Sequence, residues 1–276
     1  MRHWVKRQGW LVPALALFLV IVAFGYVREP GAENRAGTVE LPALPTGQVA
    51  SAGAAAVTAP AKSGGEPFVL SDIDGVSRYM RVDEVVAVRA QPTLRSRIVA
   101  RLPTRTPEGT SNVVLALRRV ERGGRLWIQA RLPVLPNNTV GWIPREALGG
   151  YNPVAMHLVV DLSEFRAVLY RRGKVIWRAR VGVGESRWPT PTGKFYIRNR
   201  LTKYSSPTYG PVAFGTSARS AVLTDWPAGG FVGIHGTNRP TLIPGRISHG
   251  CIRLRNTDIM RLDRLMPPGT PLTIRV

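Results

Sequence analysis

The chain contains one cysteine and four histidines, and two of those histidines lie shortly before the cysteine in sequence. His235 lies in Ile234-His235-Gly236-Thr237-Asn238-Arg239-Pro240, and Cys251 in Ser248-His249-Gly250-Cys251-Ile252-Arg253-Leu254, sixteen positions further on. A thiol becomes a strong nucleophile only as thiolate, and an imidazole brought close by folding can take its proton. The imidazole must itself be oriented, and a backbone carbonyl near Gly236 can accept from its other nitrogen. Gly250 lets the backbone turn tightly beside the sulfur. The N–H groups of Gly250 and Cys251 would then face an acyl oxygen as it becomes an oxyanion. Two other readings compete. A lone cysteine is often a small buried hydrophobe. Cysteine with two histidines can also bind zinc, but the usual ligand spacings are absent, with no further Cys and no paired His on a helix.

These residues resemble the signature of the L,D-transpeptidases of the YkuD type. The resemblance extends upstream to Val159-Val160-Asp161-Leu162-Ser163 and Thr190-Pro191-Thr192-Gly193-Lys194-Phe195, so it covers about residues 155–276. It implies Cys251 as nucleophile, His235 as general base and Gly236 as the orienting carbonyl. It also implies that Ser248, His249 and Gly250 shape the oxyanion region. Some members carry Asn two places after the cysteine; this chain has Arg253, as others do, which points to a role in shaping the site or contacting substrate. Thr237, Asn238 and Tyr209 are the further candidate substrate contacts. The implied reaction is acyl transfer on peptidoglycan stem tetrapeptides without metal or cofactor. Cys251 attacks the carbonyl before a terminal D-amino acid, and an amine of a neighbouring stem resolves the thioester as a cross-link. Carbapenems are the inhibitors the resemblance implies. Two alternatives stay open: a cysteine L,D-carboxypeptidase in which water resolves the thioester, and a peptidoglycan-binding protein whose catalytic domain is secondary.

The rest of the chain must position that site. Its length allows about two domains. One cysteine rules out an intrachain disulfide. Residues 1–9 carry Arg2, Lys6 and Arg7 and read as a cytoplasmic basic segment. Residues 10–27, WLVPALALFLVIVAFGYV, approach the ~20 apolar residues that span a bilayer as a helix. Basic residues stay inside, so a single-pass anchor in the cell membrane would put the catalytic part on the extracytoplasmic side. A cleaved signal peptide would need a shorter apolar core and a small-residue cleavage site, whereas Arg28-Glu29-Pro30 follows. Residues 28–66, rich in Ala, Gly and Pro, read as a flexible tether.

From 67 to 150, short apolar runs alternate with turns: Val85–Arg89, Ile98–Leu102, Val113–Leu117, Leu126–Arg131 and Gly141–Pro144. Such spacing suggests a small β-barrel, and the order of motifs resembles a bacterial SH3-like domain, a module that in wall enzymes often binds peptidoglycan; a structural spacer or lid on the catalytic domain is the alternative. Trp127 and Trp142 are either ligand platforms or core. Asn137-Asn138-Thr139 matches a glycosylation sequon of little weight here.

In 155–276, strands are expected at Leu158–Leu162, Ala167–Tyr170, Val175–Val181, Lys194–Ile197 and Thr270–Val276, with a short helix from Asn256 to about Met266. Asn256 is a helix cap or a site residue. Residues 201–230 lack periodicity and read as a flap over the site, with Tyr204, Tyr209 and Trp226 as candidate contacts. The fold class is mainly β: a transmembrane helix, a small SH3-like barrel, then the β-sandwich the resemblance implies, with its short helix.

The formal net charge is +21, from 38 basic against 17 acidic residues. Basic surface seeks anionic partners. No nucleic-acid motif is present, so anionic wall polymer or the membrane surface is the expected partner, beside the stem peptides.

Overall fold

The structure is a computed structural model that describes residues 65–202, 206–223 and 230–276. The expected basic segment, the anchor at 10–27 and nearly all of the tether lie outside the described residues, as do Tyr204 and Trp226. Among the described residues no helix is long and apolar enough to cross a membrane.

The N-terminal lobe is an eight-stranded sheet. Its strands are β1 (Phe68–Val69), β2 (Ser77–Arg81), β3 (Val86–Arg89), β4 (Ile98–Leu102), β5 (Val113–Arg122), β6 (Arg125–Arg131), β7 (Val140–Pro144) and β8 (Asn152–Val154). They run in the order β4-β3-β7-β6-β5-β2-β8, with β1 added beside β5. β3 alternates buried and more open positions, as expected of a strand with one face against a core. Val88, Leu102, Val114, Ile128 and Ile143 close that core. Trp127 and Trp142 are buried rather than presented as platforms, and Trp127 Nε1 donates to the Arg122 carbonyl at 3.3 Å.

The C-terminal lobe contains β9 (Met156–Asp161), β10 (Arg166–Arg171), β11 (Lys174–Arg180), β12 (Gly182–Gly184), β13 (Gly193–Leu201), β14 (Ala213–Arg219), β15 (Phe231–His235), β16 (Gly245–Ser248), β17 (Ile252–Arg253), helix α1 (Asn256–Asp263) and β18 (Pro271–Arg275). The ten strands form one path, β11-β10-β9-β18-β13-β14-β15-β17-β12-β16. β13 is the corner. Its first half pairs with β18 and its second half with β14. Leu158 and Leu169 from one half meet Phe214, Ile234 and Ile252 from the other in a single core, so the sheet folds about β13 into two layers. Each fully buried side chain of this kind contributes about 1.5–3 kcal/mol. Ile259 and Leu262 seat α1 on the same core, and Asp258 favours the positive end of the helix.

Residues 201–230 are not simply a flap. β14 runs through them in the middle of the sheet, between β13 and β15. All but its last residue are buried, so Ala213-Phe214-Gly215-Thr216-Ser217-Ala218 shows no alternation that would betray a strand.

The lobes are pinned together. Tyr196 donates its hydroxyl to the Val113 carbonyl at 2.9 Å. Asn137 exchanges two hydrogen bonds with the Arg219 backbone, at 2.8 and 3.0 Å. Asn138 accepts from the Lys194 N–H at 2.7 Å. The asparagines of the sequon are thus spent on docking the lobes.

Candidate active site

The end of β15 and the start of β17 lie side by side as parallel neighbours, His235 beside Arg253 and Ile234 beside Ile252. This pairing of residues eighteen positions apart brings His235 and Cys251 to the same end of the two strands. A Cβ built on Gly233 would sit 3.7 Å from His235 Cδ2 and 3.8 Å from Cys251 Sγ, so imidazole and sulfur converge on one point. Both line a cleft of about 340 Å³ together with Tyr209, Phe231, His249 and Arg253.

His235 is 3 % exposed. Its Nδ1 lies 2.6 Å from the Gly236 carbonyl, which can only accept, so Nδ1 carries the proton and Nε2 is left as the basic nitrogen. Burial pushes its pKa down to about 4, against the Gly236 hydrogen bond and with help from the Arg253 charge. The Tyr209 ring meets the imidazole edge-on at 4.7 Å between centroids. Burial also pushes the Cys251 thiol up, opposed by the Gly233 N–H, which lies 3.4 Å from Sγ, and by Arg253. The resting pair is therefore neutral thiol and neutral imidazole, and ionisation must come with the attack itself.

The turn carrying Cys251 is clamped from two sides. Ser248 Oγ accepts from the Gly250 N–H at 3.2 Å and donates to the Cys251 carbonyl at 2.5 Å. Thr190 Oγ1 donates to the Gly250 carbonyl at 2.8 Å and accepts from the Gly184 N–H at 2.8 Å. Gly250 needs its freedom, with φ at +110°. Since its N–H is taken by Ser248, the Gly250 amide expected in the oxyanion region is engaged in the turn, which leaves the Cys251 N–H as the other of that pair. Ser248 itself is buried and holds backbone rather than facing the cleft. His249 is exposed at the cleft and stacks edge-on with Trp188 at 4.0 Å, and the Arg187 guanidinium lies 3.4 Å from the centre of the Trp188 ring.

Of the candidate substrate contacts, Arg253 and Tyr209 line the cleft; Thr237 and Asn238 do not. Thr237 is buried, its hydroxyl accepting from the Arg239 N–H at 3.1 Å. Asn256 neither caps α1, whose N-cap is Arg255, nor enters the cleft. Its Oδ1 accepts from the Thr237 N–H at 2.9 Å and so fixes the loop leaving His235. Arg253 keeps a buried Nε with no hydrogen-bond partner.

Four contributors escaped the sequence reading. Thr190 stands in the Thr-Pro-Thr-Gly motif, which signals a loop but not a clamp. Gly233 presents its amide to the sulfur. Phe231 walls the cleft, with the guanidinium of Arg198 3.7 Å from its ring centre. Arg198 is 2 % exposed and bonded to Glu108 of the N-terminal lobe at 3.1 Å; nothing in its local sequence marks it as buried.

Residues 155–274 match the model of the L,D-transpeptidase catalytic domain. The putative L,D-transpeptidase YkuD of Bacillus subtilis is 33% identical over 121 residues, 44% of this chain and 66% of that protein. The probable L,D-transpeptidase YbiS of Escherichia coli K12 is 30% identical over 131 residues, 41% of this chain and 42% of that protein. The chain thus spans just under two thirds of the first relative and under half of the second. The NMR structure of the catalytic domain of the Enterococcus faecium L,D-transpeptidase aligns at 26% identity over 43% of this chain and 95% of that chain, with a TM-score of 0.34.

Proposed function

We propose that this chain is an L,D-transpeptidase that cross-links peptidoglycan stem peptides through an acyl-enzyme on Cys251. One observation carries the reading: His235 and Cys251 converge across Gly233 in a cleft, with the imidazole already held in the tautomer of a base. The family match of residues 155–274 supports it.

In this reading the Cys251 thiol gives its proton to His235 Nε2 as sulfur attacks the stem carbonyl before the terminal D-amino acid. The new oxyanion draws on backbone N–H donors near Cys251. The tetrahedral adduct collapses, the C–N bond breaks, and His235 returns the proton to the departing amine. An acceptor amine then attacks the thioester, loses a proton to His235, and the thiol reforms when the C–S bond breaks. The positive end of Arg253, with its unpartnered Nε, favours a carboxylate of the substrate. Carbapenems would acylate the same sulfur.

The N-terminal apolar run would anchor the chain in the cell membrane with the catalytic lobe outside, and the SH3-like N-terminal lobe would hold wall material near the cleft. Mature protein beginning after residue 27 would remove the anchor from this reading.

The test is intact-mass spectrometry of the full chain with a tetrapeptide muropeptide. A Cys251 adduct lacking the terminal D-residue, with cross-linked dimer in solution, is the expected result. Trimmed monomer alone would replace transpeptidation by hydrolysis. No adduct on folded protein would leave the wall-binding alternative.

A further inference from the structure

Away from the cleft, the two lobes enclose a groove of about 490 Å³. One wall belongs to the N-terminal lobe. There Arg118 on β5 stands opposite Gln129 on β6, and Arg131 stands opposite Leu115. The other wall belongs to the C-terminal lobe, where Lys194 on β13 stands opposite Thr273 on β18. All of these residues line the groove, and Asp72 is the one acid that does so.

What sets Arg118, Arg131 and Lys194 apart is their placement, three cations gathered on the facing walls of one groove. None of the three groove cations has a side-chain hydrogen bond or ion pair among the described residues. Asp72 accepts from the Asp74 N–H in its own turn. Arg131 is half-buried, and burial pushes its pKa down. A half-buried guanidinium that has no protein acceptor leaves its donors available to an oxyanion in the groove.

The walls are also set in advance. The Lys194 N–H is fixed on Asn138 at 2.7 Å and the Tyr196 hydroxyl on Val113 at 2.9 Å, one residue either side of Phe195 in the groove. A ligand would meet cations on strands that need not be ordered on binding.

We propose that this groove between the lobes is a binding site for a phosphate-bearing anion, held by Arg118, Arg131 and Lys194 with Gln129 and Thr273 as hydrogen-bonding partners. Three cations against one acid leave about two positive charges, which matches a phosphate dianion or successive phosphodiesters better than one carboxylate. The arginine fork fits phosphate oxygens two at a time, and lysine adds a point charge. The site stands on residues separate from Cys251, so it holds or falls independently of the acyl-transfer reading.

The experiment is calorimetric titration of the full chain with inorganic phosphate, with a short glycerol-phosphate oligomer and with citrate, at matched ionic strength. Arg118→Gln/Arg131→Gln is the test variant and the exposed Lys194→Gln the milder one. An unchanged circular dichroism spectrum and melting curve show that each is folded. Binding of phosphate or oligomer that weakens about tenfold or more in the double variant is the expected result. Preference for inorganic phosphate identifies a small ligand, and preference for the oligomer a polymer. Equal binding by wild type and both variants overturns the site, and tighter binding of citrate than of either phosphate overturns its assignment to phosphate.

Discussion

His235 donates its Nδ1–H to the carbonyl of Gly236, the next residue in the chain, at 2.6 Å. So short a loop costs the fold little to close, and it decides which imidazole nitrogen is basic. Burial then holds the ring neutral down to about pH 4. A base that must accept a proton works only while neutral. Acylation of Cys251 by a carbapenem should therefore keep its rate as pH falls through 6.5 and lose it on a limb near pH 4. A limb near the ordinary imidazole value of 6.5 would contradict the buried base. Stability should follow the same group. The folded value lies below 6.5, so the unfolded chain binds more protons between about 4 and 6.5. The fold then loses up to about 3 kcal/mol from His235 as pH falls across that window.

Replacing His235 by Ala should abolish acylation while leaving the fold. The side chain is buried but sits at the end of β15, and its backbone carbonyl goes on accepting from the Leu254 N–H at 2.8 Å. Intact mass with a carbapenem reads the loss, and a melting curve reads the fold. A variant acylated at the wild-type rate would remove His235 from the base role.

Thr190 tests whether the turn around Gly250 matters to the nucleophile. Thr190→Val keeps the shape but deletes both the bond to the Gly250 carbonyl and the one from the Gly184 N–H. Two buried backbone groups lose their partner, which costs about 1–3 kcal/mol each. A lower melting temperature with acylation slowed about tenfold or more is expected, since a nucleophile displaced by a fraction of an ångström loses its alignment. Thr190→Ser, which retains the hydroxyl, should recover most of the rate.

What the sequence made legible follows from how each element is buried. β6 and β7 sit where apolar residues cluster between turns, and the pair of motifs around His235 and Cys251 carries its own chemistry. β14 was hidden because it is covered on both faces and, apart from Phe214 and Arg219, built of Gly, Ser, Thr and Ala, which carry no period. Ser248 and Asn256 were seen as polar residues near the site, but whether a hydroxyl or amide faces substrate or backbone depends on strands that meet only in the fold. Thr237 was expected at substrate for its place beside His235, yet the loop held by Asn256 turns it inward. Arg198 shows the same limit more sharply: a strand position with arginine reads as solvent-facing until another lobe covers it.

Tyr209 lines the cleft and packs its ring against His235 at 4.7 Å between centroids, so it covers the imidazole. Tyr209→Ala opens the imidazole to water, which should raise its pKa toward 6.5 and move the acid limb upward. An unmoved limb in the alanine variant would show that the ring does not shield the base.

Glu108 lies in the N-terminal lobe, yet through Arg198 it reaches the wall of the cleft. Arg198 is buried between them, with Nη2 on Glu108 at 3.1 Å and its guanidinium stacked on Phe231 at 3.7 Å. Its Nε and Nη1 are buried without partners, so Glu108 is its carboxylate counter-ion among the described residues. Glu108→Gln leaves the geometry and removes the charge. An uncompensated buried guanidinium costs about 3–5 kcal/mol, so the variant should melt well below wild type. Arg198→Met, which takes the charge away along with its need for Glu108, should be less harmful to the fold. Both variants loosen Phe231 and should raise KM for the muropeptide more than they lower kcat. A Glu108→Gln protein with wild-type melting and wild-type KM would mean that the N-terminal lobe does not support the cleft through this arginine.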